Sequence, residues 1–248
     1  MLYIIQVGHN DASDRYIRNK VKAVEEAGLQ ATVVNLEKSC VTEDVFDTIF
    51  YCQARKDCKA IMVQLPLPSH LNKRLILESI PLDLDIDGLN PYNAYRRPLT
   101  PCAIMRWLKE QDIDLEGKTV TILGRSELVG KPLANLMIDA GATVMVCNSK
   151  TSSYVRTNLC RNTDIIVSAV GKPHTVTIWD ISSYKQIIID VGINRDENGM
   201  LCGDVDSLVR AEIDRHGGIC TPVPGGVGKW TVRELVLRLA EMEGVKIH

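Results

Sequence analysis

Four stretches of this 248-residue sequence predict an α/β protein. Thr119–Lys150 reads as strand, turn, helix, strand, and Leu2–Leu36 repeats the pattern. Asn162–Ala169 and Gln186–Val191 are further apolar runs, each ending near a glycine. Strands that are apolar and β-branched without alternation suit parallel sheets covered on both faces. Two βαβ units imply two sheets or one long one, and 45% hydrophobic residues can fill two modest cores or one large one.

Taken in order, Leu2–Val7 is a strand and Gly8–Ser13 a loop, with Ser13 or Asp14 as the expected cap of a helix running to about Ala27. Gly28 terminates that helix, and Ala31–Leu36 is the second strand. A helix is expected over Glu43–Arg55, then a strand over Ala60–Leu65 that Pro66 and Pro68 interrupt and that carries a polar Gln64 near its end. Leu71–Ile80 reads as a short helix. Asp83, Asp85 and Asp87 then alternate, but the spacing, later Glu and following helix of a calcium loop are absent. Pro98–Pro101 opens a helix over Cys102–Gln111 that links two domains. In Thr119–Lys150 the strand Thr119–Leu123 stops at Gly124, a helix over Lys131–Ala140 has Pro132 in its first turn and Gly141 past its end, and Ala142–Cys147 returns as a strand. Asp204 and Asp206 belong to a turn before a short helix, Thr221–Gly228 is a loop, and Thr231–Glu243 is the last helix.

Gly124-Arg125-Ser126-Glu127-Leu128-Val129-Gly130 occupies the place where a dinucleotide fold puts its phosphate loop, at a helix N-terminus that can face an anion. Ser126 stands where the usual fingerprint has its second glycine, and a loop of this kind also serves as a plain strand-to-helix turn. An NAD site places Asp or Glu about 20 residues on; here the second strand ends in Asn148-Ser149-Lys150-Thr151. Arg125, Ser149 and Lys150 offer donors and positive charge, as a 2′-phosphate requires, so the sequence favours NADP over NAD. The alternative is that Arg125 and Lys150 are ordinary solvated charges.

Net charge −2 and a pI near 6.2 give no reason to expect nucleic acid or an anionic membrane. No run is long enough to span a bilayer and the opening residues lack the features of a signal peptide, so the expected location is the cytoplasm. The eight cysteines include no C-x-x-C pair and are expected to be reduced. The five histidines have no metal-ligand spacing, and no metal is expected.

Several separated blocks resemble the bifunctional methylenetetrahydrofolate dehydrogenase/cyclohydrolases: Tyr16-x-x-x-Lys20, Val63–Pro68, Asp85–Gly88 with Asn90–Asn93, Gly124–Ser126, Asp190–Asn194 and Thr221–Gly228. The resemblance covers nearly the whole chain. It implies an N-terminal α/β folate-binding catalytic domain over 1–110 with a return helix in 230–248, a Rossmann-like NADP-binding domain over 111–229, and a cleft between them. It implies oxidation of 5,10-methylenetetrahydrofolate with NADP, hydrolysis of the methenyl product to 10-formyltetrahydrofolate, and a homodimer. By motif, Lys20 matches the cyclohydrolase lysine, Tyr16 its aromatic partner, Gln64 the residue that hydrogen-bonds the lysine, and Asp87 the carboxylate that holds the pterin. Val63, Leu65 and Pro224, Gly225, Gly226, Val227 and Gly228 match folate-lining positions. Gly124, Arg125, Ser126, Ser149 and Ile193 match the cofactor site.

These roles are physically reasonable. Tyr16 and Lys20 are four apart on one helix and share a face. A pterin presents an amino group and a ring N–H that one carboxylate can accept together. A partly desolvated lysine beside a cationic substrate has a lowered pKa and can help activate water. Without the surrounding blocks, Lys20 reads better as a solvated residue among Arg15, Arg18 and Lys22, and Asp87 reads as a turn residue and Gln64 as a polar strand end.

The chain departs from the family pattern in three places. It begins directly in its first strand, where relatives usually have a leading helical segment, so the folate domain is expected to be less covered or to rely on a partner subunit. Lys229-Trp230-Thr231 replaces Pro-Met-Thr, adding a charge and a large ring beside the folate loop. Asn148-Ser149 replaces His-Ser. Competing expectations are a dehydrogenase lacking the second activity and a non-catalytic folate- or nucleotide-binding regulator.

Overall fold

The computed structural model describes residues 1–247, and of Ala12 the backbone alone. In chain order the elements are β1 (Leu2–Val7), α1 (Asp11–Glu26), β2 (Ala31–Leu36), α2 (Thr42–Gln53), β3 (Ala60–Val63), α3 (Lys73–Ser79), α4 (Leu99–Glu110), β4 (Thr119–Leu123), α5 (Gly130–Asp139), β5 (Thr143–Cys147), α6 (Ser153–Arg161), β6 (Ile165–Ser168), β7 (Ile187–Asp190), β8 (Asn194–Arg195), β9 (Leu201–Cys202), α7 (Ser207–Arg215), β10 (Ile219–Cys220) and α8 (Val227–Glu243). They form two compact units: Met1–Leu99 with the chain from Val232 on, and Thr100–Thr231. The sequence places these divisions at 110 and 229. Most of α4 goes with the second unit because Ile104 and Leu108 pack into that unit's core. His248, at the end of the expected return segment, lies outside the described residues.

The first unit is built on a parallel sheet of order β2-β1-β3. Every residue of β1 and β3 is buried, as continuous apolar runs in a doubly covered sheet require. Leu2, Ile4 and Met62 face Ile17 and Val24 of α1 and Leu235 and Leu239 of α8. Tyr3, Ile5, Ile61 and Val63 face Val45 and Ile49 of α2 and Ile76 of α3. α1 starts earlier than its expected cap at Ser13 or Asp14: Asn10 caps it, its side-chain oxygen accepting from Ser13 N at 2.9 Å. Ser13 lies in the first turn, where its hydroxyl accepts from Asn10 Nδ2 at 2.9 Å.

Past β3 the sheet gains one further pairing. Asp85 bridges Ile61 in parallel, with Ile61 N donating to Leu84 O at 2.8 Å and Ile86 N to Ile61 O at 3.4 Å. The three alternating acids have separate fates. Asp83 is exposed. Asp85 is fully buried, and its carboxylate accepts from Gly88 N (3.0 Å), Leu89 N (3.3 Å), Asn90 N (3.0 Å) and Asn93 Nδ2 (3.2 Å). Gly88 has φ +66°, and a Cβ there would stand 2.5 Å from Arg97 O, so only glycine fits.

The second unit holds a parallel sheet of order β10-β7-β6-β4-β5 and a small antiparallel ladder of β8 with β9. β4 has β5 on one side and β6 on the other, so the connections from β4 and β5 leave in opposite directions across the sheet. In open α/β sheets ligands bind at the carboxyl ends of the strands beside such a reversal.

Several elements differ from expectation. α8 begins at Val227 instead of Thr231, because Gly226 O accepts from Lys229 N (2.9 Å) and Trp230 N (3.2 Å) and closes a helical turn across Gly228. β6 and β7 are the cores of the longer predicted runs. α6, β10 and the β8–β9 ladder have no counterpart in the sequence reading, since two-residue strands carry no readable period. α6 is a polar helix recognisable mainly from its cap, Ser152 Oγ accepting from Val155 N at 3.3 Å.

Asp85→Ala would strand buried N–H groups that nothing else accepts, and should lower stability by at least about 2 kcal/mol. Urea unfolding checks this; a change within about 0.5 kcal/mol, the scale of an indifferent surface substitution, would show that the loop holds without the carboxylate.

Candidate functional site

In the first unit, polar groups gather at the carboxyl edge of the sheet. Gln64 follows β3 and remains in register, its N donating to Ile5 O at 2.8 Å. Met62 and Gln64, two apart, point to one face, and α1 crosses that face. Lys20 is only 4% exposed; its Nζ donates to Gln64 Oε1 at 2.9 Å and Met62 Sδ at 3.2 Å and lies 4.5 Å from the centre of the Tyr16 ring. The ring face is an attractive neighbour for a cation. Gln64 donates in turn to Leu65 O at 2.6 Å, which fixes its oxygen toward the lysine.

Asp87 completes the group. Among the described residues nothing hydrogen-bonds to its carboxylate, whereas its backbone oxygen accepts from Leu99 N at 3.2 Å. Arg238 of α8 lies nearby, buried, with Nη1 donating to Ile86 O and Arg97 O at 2.9 Å each, and so clamps the turn that carries Asp87. Burial pulls the Lys20 pKa below its ordinary value against the opposing charge of Asp87. Part of the Asp87 side chain is accessible, yet desolvation pushes its pKa up, Lys20 and Arg238 pull it down, and Asp85 adds to the rise. Burial therefore outweighs the attraction between the two groups on both sides of the pair.

In the second unit, Gly124 N donates to Cys147 O at 2.9 Å, just past the last β4–β5 pair (Leu123 opposite Cys147), and the loops that follow the two strands carry Arg125 and Ser149. Arg125, Ser149 and Lys150 are all exposed, and among the described residues Arg125 has no hydrogen bond or ion pair. Asn148 shapes the turn, its Oδ1 accepting from Lys150 N at 2.9 Å while its N donates to Thr151 Oγ1 at 3.0 Å. Ser126 is occupied differently from a phosphate-loop glycine. Its hydroxyl accepts from Val129 N at 3.1 Å, a bond made within the loop that leads into α5. Gly130 is needed for close approach, since a Cβ there would lie 2.1 Å from Gly124 O. These features fit a dinucleotide phosphate end: a tight loop, a helix N-terminus, and positive charge at the end of the second strand.

A tetrahydrofolate dehydrogenase/cyclohydrolase catalytic-domain model matches residues 1–87, and the corresponding NAD(P)-binding-domain model matches 98–245. The chain belongs to the tetrahydrofolate dehydrogenase/cyclohydrolase family. The bifunctional protein FolD of Streptococcus thermophilus is 40% identical over 243 residues, 95% of this chain and 84% of the relative. The crystal structure of the bifunctional enzyme FolD from Campylobacter jejuni has a TM-score of 0.92 at 37% identity, covering 98% of this chain and 87% of that one. The FolD structure from Trypanosoma brucei, complexed with NADP cofactor and inhibitor, has a TM-score of 0.88 at 33% identity, covering 97% and 85%.

In this member of the family, Tyr16, Lys20, Gln64 and Asp87 come together. Val63 and Val227 are each buried in a core, 1% and 4% exposed. Leu65 is partly exposed, Pro224 and Gly225 are exposed, and Gly226 is buried. Ile193 is 63% exposed and its Cδ1 stands 3.8 Å from where a Gly228 Cβ would be. Trp230 is not a free ring: it stacks on Trp107 with centroids 4.5 Å apart. Met62 and Arg238 escaped the sequence reading. Met62 was discoverable as the same-face neighbour of Gln64, and Arg238 as a charge inside the apolar run Leu235–Leu239. Among the described residues no group of three or more His, Cys, Asp or Glu could hold a metal, all eight cysteines are free thiols, and no helix is long and apolar enough to cross a membrane.

Because the folded-state pKa of Lys20 is lowered, the unfolded chain takes up this proton more readily; the group's contribution to stability is full above the unfolded pKa and lost as pH falls through the folded one. Removing the carboxylate that favours the charge, in Asp87→Asn, should lower the Lys20 pKa further. An NMR titration of the Lys20 Nζ checks this; an unmoved titration would mean that the two groups do not interact.

Proposed function

We propose that this chain oxidises 5,10-methylenetetrahydrofolate to 5,10-methenyltetrahydrofolate with NADP and hydrolyses the product to 10-formyltetrahydrofolate, using the residues assembled above. The observation that carries this reading is a buried lysine held by Gln64 and Tyr16 beside a carboxylate that has no protein hydrogen-bond partner among the described residues. Asp87 accepts from the pterin amino group and its neighbouring ring N–H, which supplies charge-assisted hydrogen bonds to an otherwise unsatisfied anion. The Tyr16 ring packs along the folate. In the second step the oxygen of water bonds to the methenyl carbon as the C=N⁺ π pair returns to nitrogen and the water's proton passes to neutral Lys20, whose lowered pKa raises the fraction able to act as base; the carbon's bond to N5 then breaks as the remaining hydroxyl proton moves to N5, leaving the formyl group on N10. Gln64 holds Nζ in place throughout.

Bound NADP supplies the hydride acceptor for the first step. Arg125, Ser149 and Lys150 would hold its 2′-phosphate, Gly124 and the N-terminus of α5 its pyrophosphate, and Ile193 would pack beside it. The protein is proposed to work in the cytoplasm, in one-carbon metabolism, as a homodimer and without nucleic acid or membrane. The net charge of −2 supports the last point, and the family resemblance supports the dimer.

Lys20→Met keeps the length of the stem and removes the titrating group. It should lose cyclohydrolase activity by roughly 10²–10⁴-fold, the usual scale of acid–base assistance, while NADP-dependent dehydrogenase activity stays measurable and methenyltetrahydrofolate accumulates. In the parent protein the hydrolysis rate should rise with pH through an apparent pKa below the ordinary lysine value. Unchanged hydrolysis of added methenyltetrahydrofolate would remove Lys20 from the chemistry.

Arg125→Ala forfeits a charge-assisted phosphate contact of about 1.5–3 kcal/mol. The KM for NADP should rise by roughly tenfold or more, with NAD turnover nearly untouched. An equal loss with both cofactors would sink the 2′-phosphate assignment.

A further inference from the structure

Asp204 is fully buried and lies outside the groups used above. One carboxylate oxygen accepts from Ser168 Oγ (2.9 Å), Val170 N (2.8 Å) and Gly171 N (3.2 Å), the other from Lys172 N and Asn194 Nδ2 at 2.9 Å each. Its donors thus come from the segments that follow two neighbouring strands, β6 and β7. Its own backbone N donates to Asp190 Oδ1 at 2.9 Å, and Asp190 in turn pairs with Arg210 at 3.0 Å, which anchors Asp204 from behind.

Both segments lie at the carboxyl edge of the dinucleotide sheet, next to the strand reversal at β4, and each exposes an apolar residue, Val170 at 47% and Ile193 at 63%. Gly192 lies against the carboxylate, since a Cβ there would stand 2.0 Å from Asp204 Oδ1. Consecutive N–H groups that face one anion would otherwise have to be solvated, and the loop bearing them would be free to rearrange.

We propose that Asp204 is a positioning residue for the cofactor: by accepting from Val170, Gly171, Lys172 and Asn194 together, it holds the loops after β6 and β7 in the arrangement that receives NADP. The proposal rests on the assignment of NADP binding to this unit.

The test is Asp204→Asn in the full chain, with Asn194→Ser as a milder variant that cuts the link to the second loop alone. Calorimetry with NADP should show affinity weakened by roughly tenfold or more in Asp204→Asn, the scale of a lost charge-assisted hydrogen bond, and less in Asn194→Ser. Amide hydrogen exchange at Val170, Gly171 and Lys172 should quicken in the cofactor-free Asp204→Asn protein. The KM for NADP should rise more than kcat falls. Hydrolysis of methenyltetrahydrofolate, which needs no NADP, should stay within about twofold and so report an intact fold. Unchanged NADP affinity in both variants, or parallel loss of both activities in both, would overturn the positioning role. Absence of NADP binding by the parent protein would instead overturn the functional assignment on which it rests.

Discussion

A lysine ammonium can stay out of water in this fold because each neighbouring element supplies one compensation for it. α1 brings the Tyr16 ring, β3 brings the Met62 sulfur and the Gln64 oxygen, and the segment bridged to β3 brings the charge of Asp87. Take away the parallel register and the set disperses. Gln64 stays at its level because it still pairs with Ile5 beyond the end of β3, and Asp87 because Asp85 bridges Ile61 two residues earlier. The compensation is incomplete, as the lowered Lys20 and raised Asp87 pKa values show. A more stable protein could be had by filling this place with apolar side chains. What is retained instead is a buried lysine and a carboxylate whose charged forms are both disfavoured, the kind of perturbed pair that clusters at functional sites.

Much of this was legible in the residues. The βαβ pattern of Leu2–Leu36 and Thr119–Lys150, the i and i+4 pairing of Tyr16 with Lys20, and the odd polarity of Gln64 all follow from period and side-chain chemistry, and each has its place in the structure. The alternation of Asp83, Asp85 and Asp87 was visible but not its division of labour. Which acid turns inward depends on Asp85 meeting N–H groups from Gly88 to Asn90, contacts made by a loop whose path no local period encodes. Arg238 was hidden for a related reason: it reaches Ile86 and Arg97 from a helix far away in sequence. The bond of the Ser126 hydroxyl to Val129 N was hidden too, because a turn-forming serine in a strand-to-helix loop leaves no mark in the period.

The two units solve the same problem by similar means. In each, a buried aspartate accepts from consecutive backbone N–H groups of a loop at the carboxyl edge of a parallel sheet, Asp85 in the first and Asp204 in the second. A loop that must present functional groups cannot fold onto its own backbone and still face outward. An internal anion satisfies its donors from within and leaves the outer surface open to a ligand.

The stacked indoles of Trp107 and Trp230, inclined by 12°, give the chain a built-in optical probe. Trp230 sits a short step after Gly228, at the end of the Thr221–Gly228 loop, so a shift of that loop must change the overlap of the two rings and with it their emission and near-ultraviolet circular dichroism. The third tryptophan, Trp179, is 75% exposed, so iodide quenching can strip away its signal and leave that of the stacked pair.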